Sequence, residues 1–271
     1  MRLLILSDLH CDNNHQRLGR SIIPEVAAYI REVAPDHVIV AGDMAGGAKR
    51  CIQYIEELEQ LSGVRLSYIP GNHSIWTDKL NDSWKEYEQL RNHHSSLIGN
   101  PLLLGEKWAV IGDMGWYDYS YREESWTREE CVSRKESYWR DSAFAKFGMD
   151  DEAVTDRMLE SFRTQLAAHR DRNVIFVNHF IPYRDYVPIS PHNKVWNMIR
   201  PFMGSSRIGD LLDESPHVRH VIFGHVHWRF GSKRRGDQWV HCHPLGYVYE
   251  WKTEDLAQEI RDASHVIEID V

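Results

Sequence analysis

The chain has 271 residues, a formal net charge of −8, 42% hydrophobic residues and 27% charged residues. This composition is ordinary for a soluble globular protein, and the length allows one large α/β domain or two small ones. The acidic balance does not favour nonspecific binding to nucleic acid or to acidic membranes, unless bound cations add positive charge at one spot.

The cysteines and the N-terminus indicate the cellular compartment. Cys11, Cys51, Cys131 and Cys242 lack the close spacing of a zinc knuckle or a redox motif. No apolar span is long enough to cross a membrane, and the N-terminal apolar run reaches Asp8 too early for a signal peptide. We therefore predict a reduced, cytoplasmic enzyme without a membrane partner.

Short apolar runs rich in Val and Ile recur along the chain and predict strands buried on both faces, the usual state of a parallel sheet. They lie at 3–6, 38–40, 66–69, 174–177 and 221–223. Amphipathic stretches at 21–33 and 50–61 are long enough for crossover helices. Because ligands of open α/β sheets bind beyond the carboxyl ends of the strands, we expect the residues after these runs to converge.

The segment at about 113–150 is rich in aromatic residues. No flexible linker flanks it, so we predict a helical or loop excursion over the site, within a single domain covering 1–271. The next segment has an apolar residue at every fourth position, which predicts a helix capped by Asp150 or Asp151. Further β-like runs lie at 239–242, 247–249 and 265–271.

Each of the five apolar runs leads into residues that bind metals. These are Asp8-x-His10, Gly42-Asp43, Gly71-Asn72-His73, Asn178-His179 and Gly224-His225-x-His227. Carboxylate and imidazole ligands suit Mn, Fe, Zn and related divalent ions. Two such ions close together can clamp the oxygens of a phosphoryl displacement and lower the pKa of a water molecule. A single motif of this kind could be a turn or a polar loop, but chance is a poor explanation for the ordered set.

In this order, the motifs resemble those of the calcineurin-like metallophosphoesterase family. The resemblance implies an α/β fold, a four-layer αββα sandwich of two mixed sheets with the helices outside. It implies two divalent ions (Mn, Fe, Zn or Ni), the first bound by Asp8, His10, Asp43 and His227. The second would be bound by Asp43, Asn72, His179 and His225, with Asp43 as the bridge. His73 would then lie beside the phosphate and protonate the leaving oxygen as the catalytic acid.

One position departs from the family pattern. An Asp or Glu usually follows the Gly-Asn-His triplet and raises the pKa of the histidine, whereas this chain has Ser74. Either another acid orients His73, with Asp113, Asp118 and Asp185 as candidates, or His73 acts mainly through hydrogen bonding.

The substrate is predicted to be a phosphodiester or a small phosphomonoester. Gly42-Asp43 is followed by Met44-Ala45-Gly46-Gly47, without the nearby arginine of the protein Ser/Thr phosphatase branch. Candidate substrate contacts are Trp116 and Tyr117, by stacking, and Arg184, by binding phosphate. His241 and His243 could lie near the site, although an ordinary strand role is the simpler interpretation.

Two alternatives use the same fold. A nuclease would need a basic track, and the one dense basic run, 233–235, is short and predicts a hairpin turn, so nucleic acid is possible but not favoured. A non-catalytic interaction scaffold is disfavoured because every ligand position is filled. The sequence favours no particular oligomeric state.

Overall fold

The computed structural model describes residues 1–78, 82–190 and 192–271. Its strands are β1 (Arg2–Leu6), β2 (His37–Ala41), β3 (Leu66–Ile69), β4 (Leu102–Leu104), β5 (Trp108–Gly112), β6 (Asn173–Val177), β7 (Val218–Ile222), β8 (Gly231–Arg235), β9 (Gln238–Cys242) and β10 (His265–Glu268). Its helices are α1 (Cys11–Leu18), α2 (Ile23–Val33), α3 (Ala48–Ser62), α4 (Ser83–Arg91), α5 (Arg128–Tyr138), α6 (Asp141–Phe144), α7 (Asp151–Ala168), α8 (Lys194–Ile199), α9 (Ser206–Asp213) and α10 (Leu256–Asp262).

The strands form two mixed sheets. The first has the order β10-β1-β2-β3, in which β10 is antiparallel to β1 and the other pairs are parallel. The second has the order β4-β5-β6-β7-β9-β8, with parallel central strands and antiparallel edges at β4 and β8. This confirms the α/β class and the two mixed sheets that the sequence predicts.

Alternating side chains of each strand enter two different cores. Leu3 and Ile5 of β1 belong to the same buried cluster as Ile175 and Val177 of β6, so this cluster fills the space between the sheets. The intervening residues of β1 belong to a second cluster, which also contains the buried faces of α2, α3 and α7. Both faces of the strands are therefore buried, which explains the nearly continuous apolar runs.

The predicted elements are confirmed where a periodic pattern defined them. All five apolar runs overlap strands, and the stretches at 21–33 and 50–61 overlap α2 and α3. The side chain of Asp150 caps α7 by accepting a hydrogen bond from the Ala153 amide, at 2.9 Å. No helix in the described ranges is both long enough and apolar enough to cross a membrane.

Two local predictions are wrong. The run at 247–249 is not a strand: Val248–Glu250 forms a 3-10 turn, and the Tyr247 amide donates to the Glu250 carboxylate. The basic run 233–235 is not the hairpin turn, because it pairs with β9 as part of the edge strand β8, and the turn lies at 236–237. Cationic side chains on an edge strand discourage pairing with other chains, which gives this run a structural role.

A cluster of histidines lies between the edge strand β10 of the first sheet and the strands β7 and β9 of the second. His220 Nδ1 lies 3.0 Å from His241 Nε2, and Ser232 Oγ lies 2.8 Å from His241 Nδ1 and 3.0 Å from His243 Nε2. The ring of His265, which begins β10, stacks on His241 and His243 with centroids 4.9 and 5.0 Å apart. The contact between β10 and β9 therefore depends on closely packed imidazoles.

This cluster predicts a loss of stability in mild acid. Burial, followed by the neighbouring His265, lowers the pKa of both His220 and His243 from 6.5 to about 4. Because the folded state resists protonation, each group contributes stability that is complete above about pH 6.5 and declines as the pH falls toward 4. The free energy of unfolding of the wild type should fall between about pH 7.5 and pH 5. In His243→Asn we expect this fall to be smaller by about 1–2 kcal/mol.

Urea unfolding at both pH values, with chelator present, measures this difference. The exposed His15 supplies the control substitution, His15→Asn, which should leave the wild-type pH dependence in place. Equal pH dependence in His243→Asn and the wild type would contradict the prediction.

Candidate metal centre

The polar residues after five strands meet at the carboxyl ends of both sheets. Five of the seven predicted ligands have left-handed backbone conformations that non-glycine residues rarely adopt. They are Asp8 (φ 52°), His10 (φ 41°), Asp43 (φ 46°), His225 (φ 70°) and His227 (φ 52°). Such strain costs about 1–3 kcal/mol at each position and tends to cluster at functional sites.

A first group of ligand-type atoms comes from Asp8, His10 and His227. Their candidate ligand atoms all lie within 4.8 Å of one another. His10 Nε2 is 2.9 Å from His227 Nε2, which is 3.4 Å from Asp8 Oδ1. The amide of His225 donates to the Asp8 carboxylate at 3.0 Å, so the loop after β7 also fixes the carboxylate after β1.

A second group comes from Asn72, His179 and His225. Asn72 Oδ1 lies 3.2 Å from His179 Nε2 and 3.1 Å from His225 Nδ1, and these two ring nitrogens are 3.3 Å apart. Asp43 lies between the groups, with its Oδ2 3.2 Å from His179 Nε2 and 3.9 Å from His10 Nε2. One carboxylate therefore faces both groups.

The outer ring nitrogens of three histidines meet oxygen acceptors. His227 Nδ1 lies 2.7 Å from Glu250 Oε2. His179 Nδ1 is 3.1 Å from a carbonyl oxygen of β2, and His225 Nε2 is 3.2 Å from the carbonyl oxygen of Phe202. A ring nitrogen that donates to oxygen leaves the other nitrogen free to bind a metal. The contact of Glu250 with His227 was not predicted, because the 3-10 turn at Val248–Glu250 is what brings this carboxylate to the site.

The electrostatics of these residues fit a divalent cation. Burial opposes protonation of His179, yet the Asp43 carboxylate raises its pKa to about 9. His227 is similar: burial lowers its pKa, while hydrogen bonds with Asp8 and Glu250 raise it to about 10. Without a cation, these carboxylates therefore hold protons on the neighbouring imidazoles. A metal ion displaces such protons and satisfies imidazole nitrogens that face each other at 2.9–3.3 Å.

Two glycines have no room for a side chain because the site occupies the space. A Cβ at Gly71 would lie 2.2 Å from Asp43 Oδ1 and 2.7 Å from His179 Nε2. A Cβ at Gly224 would lie 2.1 Å from Asp8 Oδ2. Neither glycine has a positive φ, so close approach, rather than a tight turn, requires glycine here.

A cavity of about 300 Å³ opens onto both groups. Part of its lining is polar and consists of Asp43, Asn72, His73, His225 and His227. Another part is mainly aromatic and apolar, and it includes Trp76, Tyr138, Trp139, Trp196, Ile199 and Met203. Arg140 also lines the cavity and supplies a cation. Tyr138, Trp139 and Arg140 belong to the segment 113–150, which was predicted to lie over the site, but no local pattern separates these individual residues from packing aromatics.

The predicted substrate contacts lie elsewhere. Trp116 and Tyr117 are fully buried and outside this cavity: Trp116 Nε1 donates to Asp151 at 2.8 Å, and the Tyr117 hydroxyl donates to Asp141 at 3.2 Å. Arg184 is exposed, and its guanidinium donates to the carbonyl oxygen of Ser120. The first two are therefore enclosed in the core, and the third lies outside the cavity.

None of the acids proposed to orient His73 does so. Asp113 accepts from Tyr87 and Ser161, Asp118 accepts from Ser205, and Asp185 is exposed in a 3-10 turn. These positions follow from packing contacts that the sequence alone does not encode.

The ring of His73 has other neighbours. Among the described residues, its Nδ1 has no hydrogen-bond partner, and its Nε2 lies 3.3 Å from the Tyr247 hydroxyl. The ring also stacks on Trp76, with centroids 3.7 Å apart. Ser74 is buried, and its hydroxyl accepts from the Gly71 amide at 3.3 Å, so it shapes the loop instead.

Comparisons with known proteins place this geometry in context. The profile of the calcineurin-like phosphoesterase family matches residues 1–229. The phosphopantetheinyl hydrolase (PptH) of Mycobacterium tuberculosis is similar in structure, with a TM-score of 0.73 and 18% identity over 92% of this chain and 91% of that chain. A dimetal phosphatase from Danio rerio has a TM-score of 0.52 and 14% identity over 89% of this chain and 86% of its own. These likenesses show the fold. No curated protein matches the sequence of this chain.

The space around Gly71 leads to a prediction about metal affinity. In Gly71→Ala, the new methyl group would overlap Asp43 and His179 and push both away from their partners. We expect affinity for Mn²⁺ to fall at least about tenfold, equivalent to about 1.4 kcal/mol. Titration calorimetry measures the affinity, and circular dichroism establishes that the variant is folded. A folded variant with wild-type affinity would contradict the prediction.

Proposed function

Because the chain belongs to the calcineurin-like phosphoesterase family, we propose that it is a dinuclear metal-dependent phosphoesterase acting on a phosphodiester or a small phosphomonoester. The observation that carries this proposal is the position of Asp43, which faces one group of ligand-type atoms on each side. Two bound divalent ions would neutralise charge on the phosphate and supply a hydroxide nucleophile near neutral pH.

The residues divide into two sets that share one carboxylate. Asp8, His10 and His227 would hold one ion together with Asp43. Asn72, His179 and His225 would hold the other, again with Asp43. The hydrogen bonds of the outer ring nitrogens keep these imidazoles in the orientation that binding requires.

We assign His73 a role in holding the substrate by hydrogen bonding. Burial lowers the pKa of His73, and this effect outweighs the opposing influence of Asp43 and Asp141. A neutral imidazole beside the phosphate can donate its N–H to an ester oxygen but is a weaker source of a proton than an imidazolium. This favours the hydrogen-bonding alternative for a chain with Ser74.

The cavity wall supports an ester with an apolar substituent. We propose that the segment 113–150 belongs to the same domain and supplies Tyr138, Trp139 and Arg140 to this wall. Aromatic faces suit an extended or cyclic apolar group, while Arg140 suits a phosphate or another anionic group. A phosphopantetheinyl ester combines these features, and the structural likeness to a phosphopantetheinyl hydrolase makes it the first substrate to test.

The alternatives have less support. The basic run of β8 is engaged in ion pairs, with Arg235 on Asp213 and Arg234 on Asp237, which leaves less positive charge for a nucleic-acid backbone. A non-catalytic scaffold would not need buried carboxylates and imidazoles whose ligand-type atoms lie within 4.8 Å of one another around Asp43.

The decisive experiment removes the shared charge. Asp43→Asn replaces the carboxylate with a neutral amide, which cannot offset repulsion between two close dications. We expect loss of at least one ion and a fall in kcat of about a thousandfold or more, which corresponds to about 4 kcal/mol in the barrier. Elemental analysis and kcat on bis-p-nitrophenyl phosphate with Mn²⁺ measure both effects. Two retained ions with near-wild-type kcat would rule out the shared-carboxylate mechanism.

Arg140 gives a separate test of the cavity wall. Arg140→Ala removes the cation of the wall without touching any ligand-type residue, so we expect KM to rise about tenfold while metal content stays unchanged. Arg184→Ala is the matched control, because that arginine lies outside the cavity. Equal KM values for the two variants would remove Arg140 from the proposed substrate contacts.

A further inference from the structure

Asp141 is a buried carboxylate beside the metal centre for which the mechanism above has no use. It begins α6 and is fully buried. Its Oδ1 accepts hydrogen bonds from Asn72 Nδ2 at 3.0 Å and Trp76 Nε1 at 2.5 Å. Its Oδ2 accepts from the Tyr117 hydroxyl at 3.2 Å and Trp139 Nε1 at 2.7 Å. Within the described ranges, no Lys, Arg or His forms a salt bridge with it.

Four donors converge on these two oxygens, and most of them cannot change role. An indole N–H only donates, and an ionised carboxylate only accepts. Each oxygen of Asp141 therefore meets at least one donor that cannot be reversed. The surroundings demand an acceptor on both sides of position 141, which a carboxylate provides and a side-chain amide does not.

The hydrogen bond to Asn72 has a consequence for the metal centre. The oxygen and the nitrogen of a side-chain amide have nearly the same size, so their partners decide which way the amide is turned. Asp141 binds the NH₂ end, and Oδ1 is thereby directed toward His179 and His225, at 3.2 and 3.1 Å. Only the oxygen end has a lone pair suitable for a cation.

We propose that Asp141 is a positioning residue that fixes the amide of Asn72 with its oxygen toward the metal centre. This inference rests on the proposed function, since it concerns the second of the two sets of ligands. No residue near position 74 orients the Asn72 amide. The side chain that does so, Asp141, belongs to the segment 113–150.

The same carboxylate also connects the ligand to the cavity wall. Trp76 and Trp139 line the cavity, and both indoles donate to Asp141. Docking of the 113–150 segment, placement of two wall residues and orientation of a metal ligand therefore depend on one buried group. A substitution that disturbs this group should affect metal affinity and tryptophan environment together.

The first variant is Asp141→Asn. The new NH₂ group replaces one of the two acceptors, so it faces either Asn72 and Trp76 or Tyr117 and Trp139. Where it faces Asn72, that residue is expected to turn its oxygen toward it, which presents NH₂ to the metal centre. In the other orientation, a neutral amide oxygen replaces the carboxylate as the acceptor and binds the Asn72 NH₂ group less firmly. We expect the second Mn²⁺ to bind at least about tenfold more weakly. The side-chain ¹⁵N amide resonance of Asn72 should shift in the metal-free protein, and tryptophan emission should change.

Asp151→Asn is the matched control. Asp151 is also buried and accepts from an indole and a phenol, Trp116 Nε1 and the Tyr119 hydroxyl, but its ion partner is Lys135 at 2.7 Å. It contacts none of the ligand-type residues, so this variant should lose stability while keeping the affinity for the second ion and the Asn72 resonance.

A reciprocal exchange supplies the rescue. In the double variant Asn72→Asp with Asp141→Asn, the carboxylate introduced at 72 can accept from the amide and still present an oxygen to the metal centre. We expect the affinity for the second ion to be at least about threefold higher in the double variant than in Asp141→Asn, which is half of the tenfold loss on a logarithmic scale. Asn72→Asp alone places two carboxylates against each other and should not reproduce the wild type.

The outcomes separate the two hypotheses. An unchanged Asn72 resonance in Asp141→Asn, or an equal loss of ion affinity in Asp151→Asn, overturns the role of Asp141. Failure of the reciprocal exchange to restore the second ion also overturns it. A wild-type protein that binds fewer than two ions would instead refute the dinuclear function, and the resonance of Asn72 in the metal-free protein would still report on Asp141.

Discussion

A single buried carboxylate between two groups of imidazoles is the constraint on which the rest of the site depends. Asp43 follows β2, and it meets His179 from the second sheet and His10 from the loop after β1. Burial raises the pKa of Asp43, but the neighbouring His179 and His73 lower it well below its usual range. A negative charge is thus held where two sheets converge, and each ligand-type side chain lies within reach of that charge or of its neighbours.

This convergence is costly for the backbone, and the fold compensates for the cost. Five ligand-type residues have left-handed conformations, and glycines at 71 and 224 leave space that a methyl group would fill. The strands before these positions are buried on both faces, between the sheets and under the helices. Burial of this extent contributes far more free energy than the few kilocalories per mole stored at the strand ends. The rigid sheets therefore maintain the strained loops.

The cavity has two walls with different origins. The wall that carries the ligand-type residues comes from the strand ends, where positions follow from the sheets. The aromatic wall comes from Trp76, from 138–140 and from 196–203, all outside the sheets. Such an arrangement can change substrate preference by changing the second wall while the chemistry of the first stays intact. Asp141 connects the two walls, because its partners lie in both.

The amino-acid sequence was sufficient to predict the five strands that lead into the ligand-type residues, the order of those residues and the chemistry that they suit, but not β4 and β5. These features are local. The residues of an apolar run are enough to recognise a strand buried on both faces, and a Gly-Asn-His triplet after it is recognised in the same way. The family resemblance then implied the two mixed sheets, which the structure confirms, and a grouping of ligands around Asp43, which stays a proposal.

Which aromatic and charged residues face the cavity depends on tertiary packing. Trp116 and Trp139 both belong to the aromatic-rich segment 113–150, but the first is fully buried in the core and the second lines the cavity. Arg140 and Asp141 are adjacent, yet one faces the cavity and the other is enclosed by four donors. The roles of these side chains depend on how distant segments pack. Their environment is formed by residues far away in the chain, so no local sequence pattern encodes it.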